Sequence, residues 1–231
     1  MESEVAALVA AVLCGAAGLG VPALVARIPE PDEPADDKEP YAAIAARPGL
    51  AWKAALASLV AGGLIGAELG WAWPLVYLLP LVPVGVALAV VDWRTLLLPT
   101  KVIRPTYVLV VVGVLVCWTA TRDTDDLVRA GWGLLLSFGL FWLMWRIYSR
   151  GMGYGDVRLS GVLGIALGQL GWGELIVGVY SGFLLGGVLG TLLSLSKIVD
   201  RKGYPFGPFM LVGALVGILW GDPVLSAFVS R

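Results

Sequence analysis

LVPVGVALAVVD, residues 81–92, is an unbroken apolar run that ends in a carboxylate. Traced back to Pro74, the run covers 74–91, close to the roughly 20 apolar residues a helix needs to cross a bilayer. An ionised carboxylate at membrane depth costs about 2.5 to 3.5 kcal/mol on insertion scales, so Asp92 belongs at a helix end, in a pair, or at work. A second aspartate has the same setting. Asp156 closes the glycine-rich stretch GMGYGD (151–156) and is followed at once by another apolar run.

Working outward, the rest of the chain has the same character. Its 231 residues are 58% hydrophobic and 14% charged, with mean hydropathy +0.86. A soluble domain carries about 25% charged residues, so the fold class is an all-α polytopic membrane protein. Eight apolar stretches are expected to span as helices, over 4–26, 51–72, 74–91, 105–121, 128–148, 157–173, 174–196 and 207–221. They form a single expected domain, 1–231, interrupted by one hydrophilic segment at 28–49. That segment is rich in proline and acid and predicts a mostly extended loop. The first run begins with Glu2 and Glu4 in place of a basic leader region, so it reads as a retained helix.

Charge sets the orientation. With the first helix entering from outside, thirteen of the 16 basic residues fall in cytoplasmic segments, and Arg122, Arg129 and Arg231 remain outside. The positive-inside rule then puts both aspartates at the cytoplasmic face of the membrane. The net charge of -1 hides this sidedness and says little about partners, and nothing in the chain suggests nucleic-acid binding.

Several chemistries are excluded by what is missing. With no histidine in the chain, Ser-His and Cys-His nucleophile pairs and HExxH zinc sites are impossible. Cys14 and Cys117 lie singly in apolar helices and read as small buried residues. GAAGLG (15–20) lacks the strand and βαβ context of a nucleotide loop. Gly182, Gly186 and Gly190, like Gly213, Gly217 and Gly221, recur every four residues and predict close helix packing. Trp71, Trp73, Trp118, Trp172 and Trp220 fall near helix ends, as in an interfacial belt.

Each candidate site residue also has an ordinary reading. Asp is a favoured helix N-cap, which alone would account for Asp156. Asp92 can reach interfacial water. Pro205 and Pro208 of PFGP (205–208) suit the start of a helix. Gly151, Gly153 and Gly155 occupy a connection that calls for positive φ or close backbone approach. What remains for acid–base work in this chain is carboxylates.

In order, D-x5-L-P from Asp92 to Pro99, G-x-G-D from Gly153 to Asp156, and PFGP resemble the motifs of the type IV prepilin peptidases, GxGD aspartyl proteases with eight membrane helices. GLGVPALVARIP (18–29) resembles the family's first-helix ending, matching at Arg27 and Pro29. The resemblance implies an aspartic endopeptidase with Asp92 and Asp156 as its catalytic pair. One carboxyl, protonated, would polarise the scissile carbonyl while the other takes a proton from the attacking water, and the pair titrates as one unit. It implies supporting or substrate-binding roles for Pro99, Gly153, Gly155, Arg158, Pro205, Phe206, Gly207 and Pro208. Arg158 stands where the family commonly has a lysine, and would either hold the second carboxylate ionised or serve as a positive-inside anchor.

The implied substrate is a prepilin or pseudopilin, cleaved between a short basic leader and its apolar helix, with the pilus or type II secretion machinery as partner. The implied location is the cytoplasmic (inner) membrane. Two family features are missing. No CxxC pairs follow the first helix, so no zinc is expected, and GLAWKAALASLVAGG (49–63) lacks the acid associated with S-adenosylmethionine-dependent methylation, which leaves that activity in doubt. A small transporter with a proton relay and a catalytically silent assembly scaffold are the readings from other classes.

Overall fold

The computed structural model describes residues 2–30, 38–147, 152–195 and 205–230. Among them, ten helices account for the secondary structure: α1 (Glu2–Gly18), α2 (Val21–Ala26), α3 (Tyr41–Ala45), α4 (Leu50–Leu69), α5 (Leu75–Thr95), α6 (Thr100–Thr121), α7 (Thr124–Ile147), α8 (Tyr154–Leu170), α9 (Trp172–Leu195) and α10 (Gly207–Val229). Eight of these have 17 or more residues. Five, namely α4, α5, α6, α7 and α10, are both long and apolar enough to cross a membrane, so the protein is multi-pass.

Lipid tails are as apolar as leucine, so helices in a bilayer associate through close packing of small residues. Three helix pairs are built this way. Ala6, Ala10, Cys14 and Gly18 of α1 are buried against Ser58, Gly62 and Gly66 of α4. A Cβ on Gly62 would lie 2.6 Å from the Cys14 sulfur. Between α7 and α8 the backbones touch: a Cβ on Gly133 would lie 2.1 Å from the Gly164 carbonyl oxygen. Gly213, Gly217 and Gly221 of α10 meet Gly178, Gly182 and the start of α9 in the same manner.

The two aspartate-bearing helices occupy the middle. Half of the apolar window of α5 is buried, the largest share of the five long apolar helices. Pro80 and Pro83 are tolerated inside it because neighbouring helices surround it. In α8 every residue from Leu159 to Gln169 is buried. It is enclosed by α6, α7, α9 and α10, which explains why it is short and glycine-rich.

α5 and α8 are fastened to each other by polar groups within the apolar interior. The Tyr77 hydroxyl, fully buried, lies 2.8 Å from Gln169 Oε1 and 3.0 Å from the Ala166 carbonyl oxygen. Gly113 of α6 makes room for it, since a Cβ there would come within 2.3 Å of the Tyr77 Cβ. Arg129 of α7 finishes α8. Its guanidinium donates to the carbonyls of Gly168 (2.8 Å), Gln169 (3.0 Å) and Leu170 (3.3 Å), groups that a helix C-terminus leaves unpaired, and it pairs with Asp126.

Several expected boundaries shift for local reasons. The first stretch, 4–26, is broken at Leu19–Gly20 into α1 and α2, with Pro22 in the first turn of α2. α6 starts at Thr100, with Pro105 inside it, because extended Pro99 supplies the N-cap. α5 continues to Thr95, so Asp92 lies in its last turn rather than beyond its end. In the segment 28–49, residues 31–37 lie outside the described residues, as do Gly151 and most of the 196–205 connection. The described remainder of 28–49 is less extended than expected. α3 buries Tyr41 and Ile44 against α2 and α5, and Arg47 grips Glu39 with two 2.9 Å hydrogen bonds. Burial, then the Glu30 charge, raises the Tyr41 phenol above its ordinary pKa.

The backbone contact at Gly133 yields a controlled comparison within one helix. Gly133→Ala must push α7 off α8 and should destabilise the protein by about 1 to 3 kcal/mol, whereas a Cβ on Gly131 meets nothing within 4 Å. Thermal unfolding in detergent should show a lower midpoint for Gly133→Ala and an unchanged or slightly raised one for Gly131→Ala. Equal midpoints would contradict the packing described.

Candidate active site

Asp92 sits in the last turn of α5, and the chain leaves that helix by a defined turn. The Leu96 N–H donates to the Asp92 carbonyl at 2.8 Å with Leu96 in the left-handed region (φ 53°), which ends the helix. Thr95 braces the exit by donating to the Val91 carbonyl (2.8 Å) and accepting from the Leu97 N–H (3.3 Å). Leu98 and Pro99 then lead into α6. The Asp92 side chain is only 4% exposed and accepts the Gly207 N–H at 2.9 Å. Lys38, ahead of α3, lies within electrostatic reach of it.

Asp156 is 7% exposed and occupies the third position of α8, with Gly153 as N-cap. Its carboxylate accepts the Gly153 N–H at 3.1 Å, the return half of a capping box, and glycine has no side chain to complete the other half. Asp156 is therefore not the N-cap itself. Among its described residues the turn does not use positive φ, Gly153 having φ -72°. Close approach applies at Gly155, where a Cβ would lie 2.7 Å from the Leu98 Cβ.

Leu98 is the point where the three motifs meet. It is buried with Gly155 on one side and Gly207 on the other, a Cβ on Gly207 falling 3.4 Å from Leu98 Cδ2 and 2.8 Å from Asp92 Oδ2. Two aspartates with two helices, α6 and α7, between them in sequence thus come within electrostatic reach of each other. Both carboxylates are nearly dry, and each accepts a hydrogen bond from a backbone N–H at a glycine. Such a pair can hold and exchange a proton with a water or carbonyl placed between its members.

The remaining expected site residues take structural places. Pro205 is buried and Pro208 lies in the first turn of α10, the ordinary use of proline there. Phe206 enters an aromatic socket with Phe183 (centroids 5.6 Å apart) and Phe141 (6.0 Å), where Gly186 leaves space for its ring. It thereby fixes the loop that presents the Gly207 N–H to Asp92. Pro99 caps α6. Arg158 does not reach Asp156: its guanidinium bonds Thr100 and lies over the Tyr154 ring, 4.7 Å from the centroid. Among the described residues no three His, Cys, Asp or Glu side chains gather as metal ligands.

Sequence reading missed Leu98, Lys38, Tyr77, Gln169 and Thr100. Tyr77 and Gln169 carried a signal, as hydrogen-bonding side chains inside apolar stretches. Leu98 carried none, since one leucine in LLLP looks like the next.

These features define a multi-pass helical membrane protein with two buried carboxylates gathered at one end of its helices. A family model described as the type IV leader peptidase family matches residues 79–195, just over half of the chain, and the chain belongs to that family. Among curated proteins it is similar to a prepilin leader peptidase/N-methyltransferase of Pseudomonas aeruginosa, 30% identical over 177 residues, covering 76% of this chain and 60% of the relative. One of the same description from Stutzerimonas stutzeri is 28% identical over 181 residues, again 76% and 60%. One from Aeromonas salmonicida is 32% identical over 108 residues, 46% of this chain and 36% of the relative. The chain spans about three fifths of the length of the first two relatives. No solved structure matches it.

The glycine environments predict unequal tolerance within one motif. Gly155→Ala should cost about 1 to 3 kcal/mol by displacing Leu98, while Gly153→Ala, whose Cβ would meet nothing closer than 3.4 Å, should stay within about 0.5 kcal/mol of wild type. Detergent-phase thermal melts compare the two, and an indifferent Gly155 would refute the lodging of Leu98.

Proposed function

We propose that this protein is an aspartic endopeptidase that cuts the leader from type IV prepilins or pseudopilins at the cytoplasmic face of the inner membrane. The observation that carries this reading is the convergence of Asp92 and Asp156, both buried, both hydrogen-bonded to a glycine N–H, and within each other's electrostatic reach. The family and the names of the relatives supply the substrate class.

In this reading one carboxyl donates a proton toward the scissile carbonyl oxygen while the other accepts a proton from water, which attacks the carbonyl carbon. Collapse of the tetrahedral intermediate breaks the C–N bond, and the leaving amine takes the proton. Low exposure strengthens every electrostatic contact the reacting groups make. The basic residues Arg27, Lys38, Arg47, Lys53, Arg94, Lys101, Arg104, Arg146 and Arg158 share the aspartates' end of the chain's topology, which supports a cytoplasmic site by the positive-inside rule.

The relatives' names include N-methyltransferase, an activity that uses S-adenosylmethionine, but the described residues do not fit that cofactor's cationic groups. The first half of α4 has no acid, Glu39 is occupied by Arg47, and Glu30 accepts the Ala42 N–H at 3.4 Å. No methyl-transfer step is assigned to them. A transporter reading has no observation in its favour beyond the carboxylates themselves.

Co-production with a prepilin, followed by mass spectrometry of the substrate's N-terminus, tests the proposal. Wild type should release the leader, and Asp92→Asn and Asp156→Asn should each lower cleavage by at least about 100-fold while inserting normally. Cleavage that survives either substitution would overturn the two-aspartate assignment.

A further inference from the structure

The start of α6 is tied to the start of α8 by contacts that the proteolytic reading does not itself require. α6 begins at Thr100, directly after the Leu98–Pro99 segment that leaves the Asp92 helix. Arg158, two residues beyond Asp156, donates from its guanidinium to Thr100 Oγ1. Seven residues further along α6, on the same helix face, the Tyr107 hydroxyl donates to the Arg158 carbonyl at 2.8 Å. The tyrosine fits because position 161 is glycine: a Cβ there would lie 2.0 Å from the hydroxyl oxygen. On its other side the Arg158 guanidinium rests over Tyr154, whose ring meets Trp145 of α7 edge-on at 4.9 Å.

The geometry points to Thr100, Tyr107 and Arg158 as positioning residues that clamp α6 to α8 and thereby hold Leu98, and the Asp92 helix behind it, at a fixed distance from Asp156. The inference rests on the proposed two-aspartate site. Neither end of the clamp touches a carboxylate, so its effect reaches the reaction only through the placement of backbone. The clamp also has a mechanical reason to exist. α5 and α8 are bolted directly at Tyr77 and Gln169, which lie about 20 Å from the aspartates at 1.5 Å per residue. A helix pair pinned only at that far end would let its near ends splay, and an angular error of a few degrees over that length moves a carboxyl by about 1 Å, enough to cost on the order of 100-fold in rate.

Thr100→Val and Tyr107→Phe each remove one hydroxyl while keeping shape, and Thr100→Ser restores the acceptor. Steady-state cleavage of a prepilin in detergent should show kcat lowered on the order of 10- to 100-fold in the first two, with KM within about 2-fold, and Thr100→Ser should return most of kcat. Hydrogen exchange of the segment 93–104 provides a readout independent of activity, and should be faster in Thr100→Val and Tyr107→Phe than in wild type. Unchanged exchange and unchanged kcat would overturn the clamp. So would a kcat loss that Thr100→Ser does not repair. If wild type cleaves no prepilin while exchange still responds to the two variants, the proteolytic reading has failed and the clamp has not.

Discussion

Leu98 sits between Gly155 and Gly207, and on that contact the arrangement of the site depends. The leucine can enter only because Gly155 of the GxGD turn has no side chain, a Cβ there falling 2.7 Å from the Leu98 Cβ. Gly207 of the PFGP loop lies in ordinary contact with the leucine and must lack a Cβ because one would fall 2.8 Å from the Asp92 carboxylate. Once it is lodged, the three segments that carry Asp92, Asp156 and the Gly207 N–H cannot separate independently. The two carboxylates are thereby held near each other by an apolar contact. Their own charges would drive them apart when both are ionised, so the force that gathers them has to come from elsewhere.

The bundle around this contact follows one rule. In a bilayer, apolar surface gives no preference for one helix over another, and specificity comes from close backbone approach and from polar groups that have no water to turn to. α7 against α8 shows the first, with glycines at 133, 164 and 168 meeting backbone to backbone. Tyr77 with Gln169 and Arg129 with the last carbonyls of α8 show the second. Both act on α8, the most enclosed helix, and both lie toward the end opposite the aspartates. The aspartates' end is fixed separately, by Leu98 and by the Arg158–Thr100–Tyr107 contacts.

Apolar stretches long enough to span made the helices legible in the sequence, and the ordered motifs made Asp92 and Asp156 stand out. Boundaries were less legible where proline misled. Pro105 looked like a helix start, yet Pro99 caps α6 and Pro105 sits inside it, because a proline's missing donor matters little where surrounding helices hold the chain. The role of Arg158 was misread for a different reason. Its place, matched to a lysine in the family the chain resembles, suggested a hold on the Asp156 carboxylate, and only the folded chain shows its guanidinium bonded to Thr100. Lys38 was hidden because nothing local to PADDKEP shows that Tyr41 and Ile44, a few residues on, bury themselves and draw the segment toward α5.

The claim on which the account stands is that Asp92 and Asp156 face one another across a single site. Placing cysteines at these two positions, in a chain whose Cys14 and Cys117 have been changed to alanine, allows a direct test in membranes with a short bifunctional thiol reagent. Facing positions should cross-link rapidly within one chain, read as a defined mass gain on the intact protein. Two cysteines that each react singly with the reagent but never bridge would contradict it.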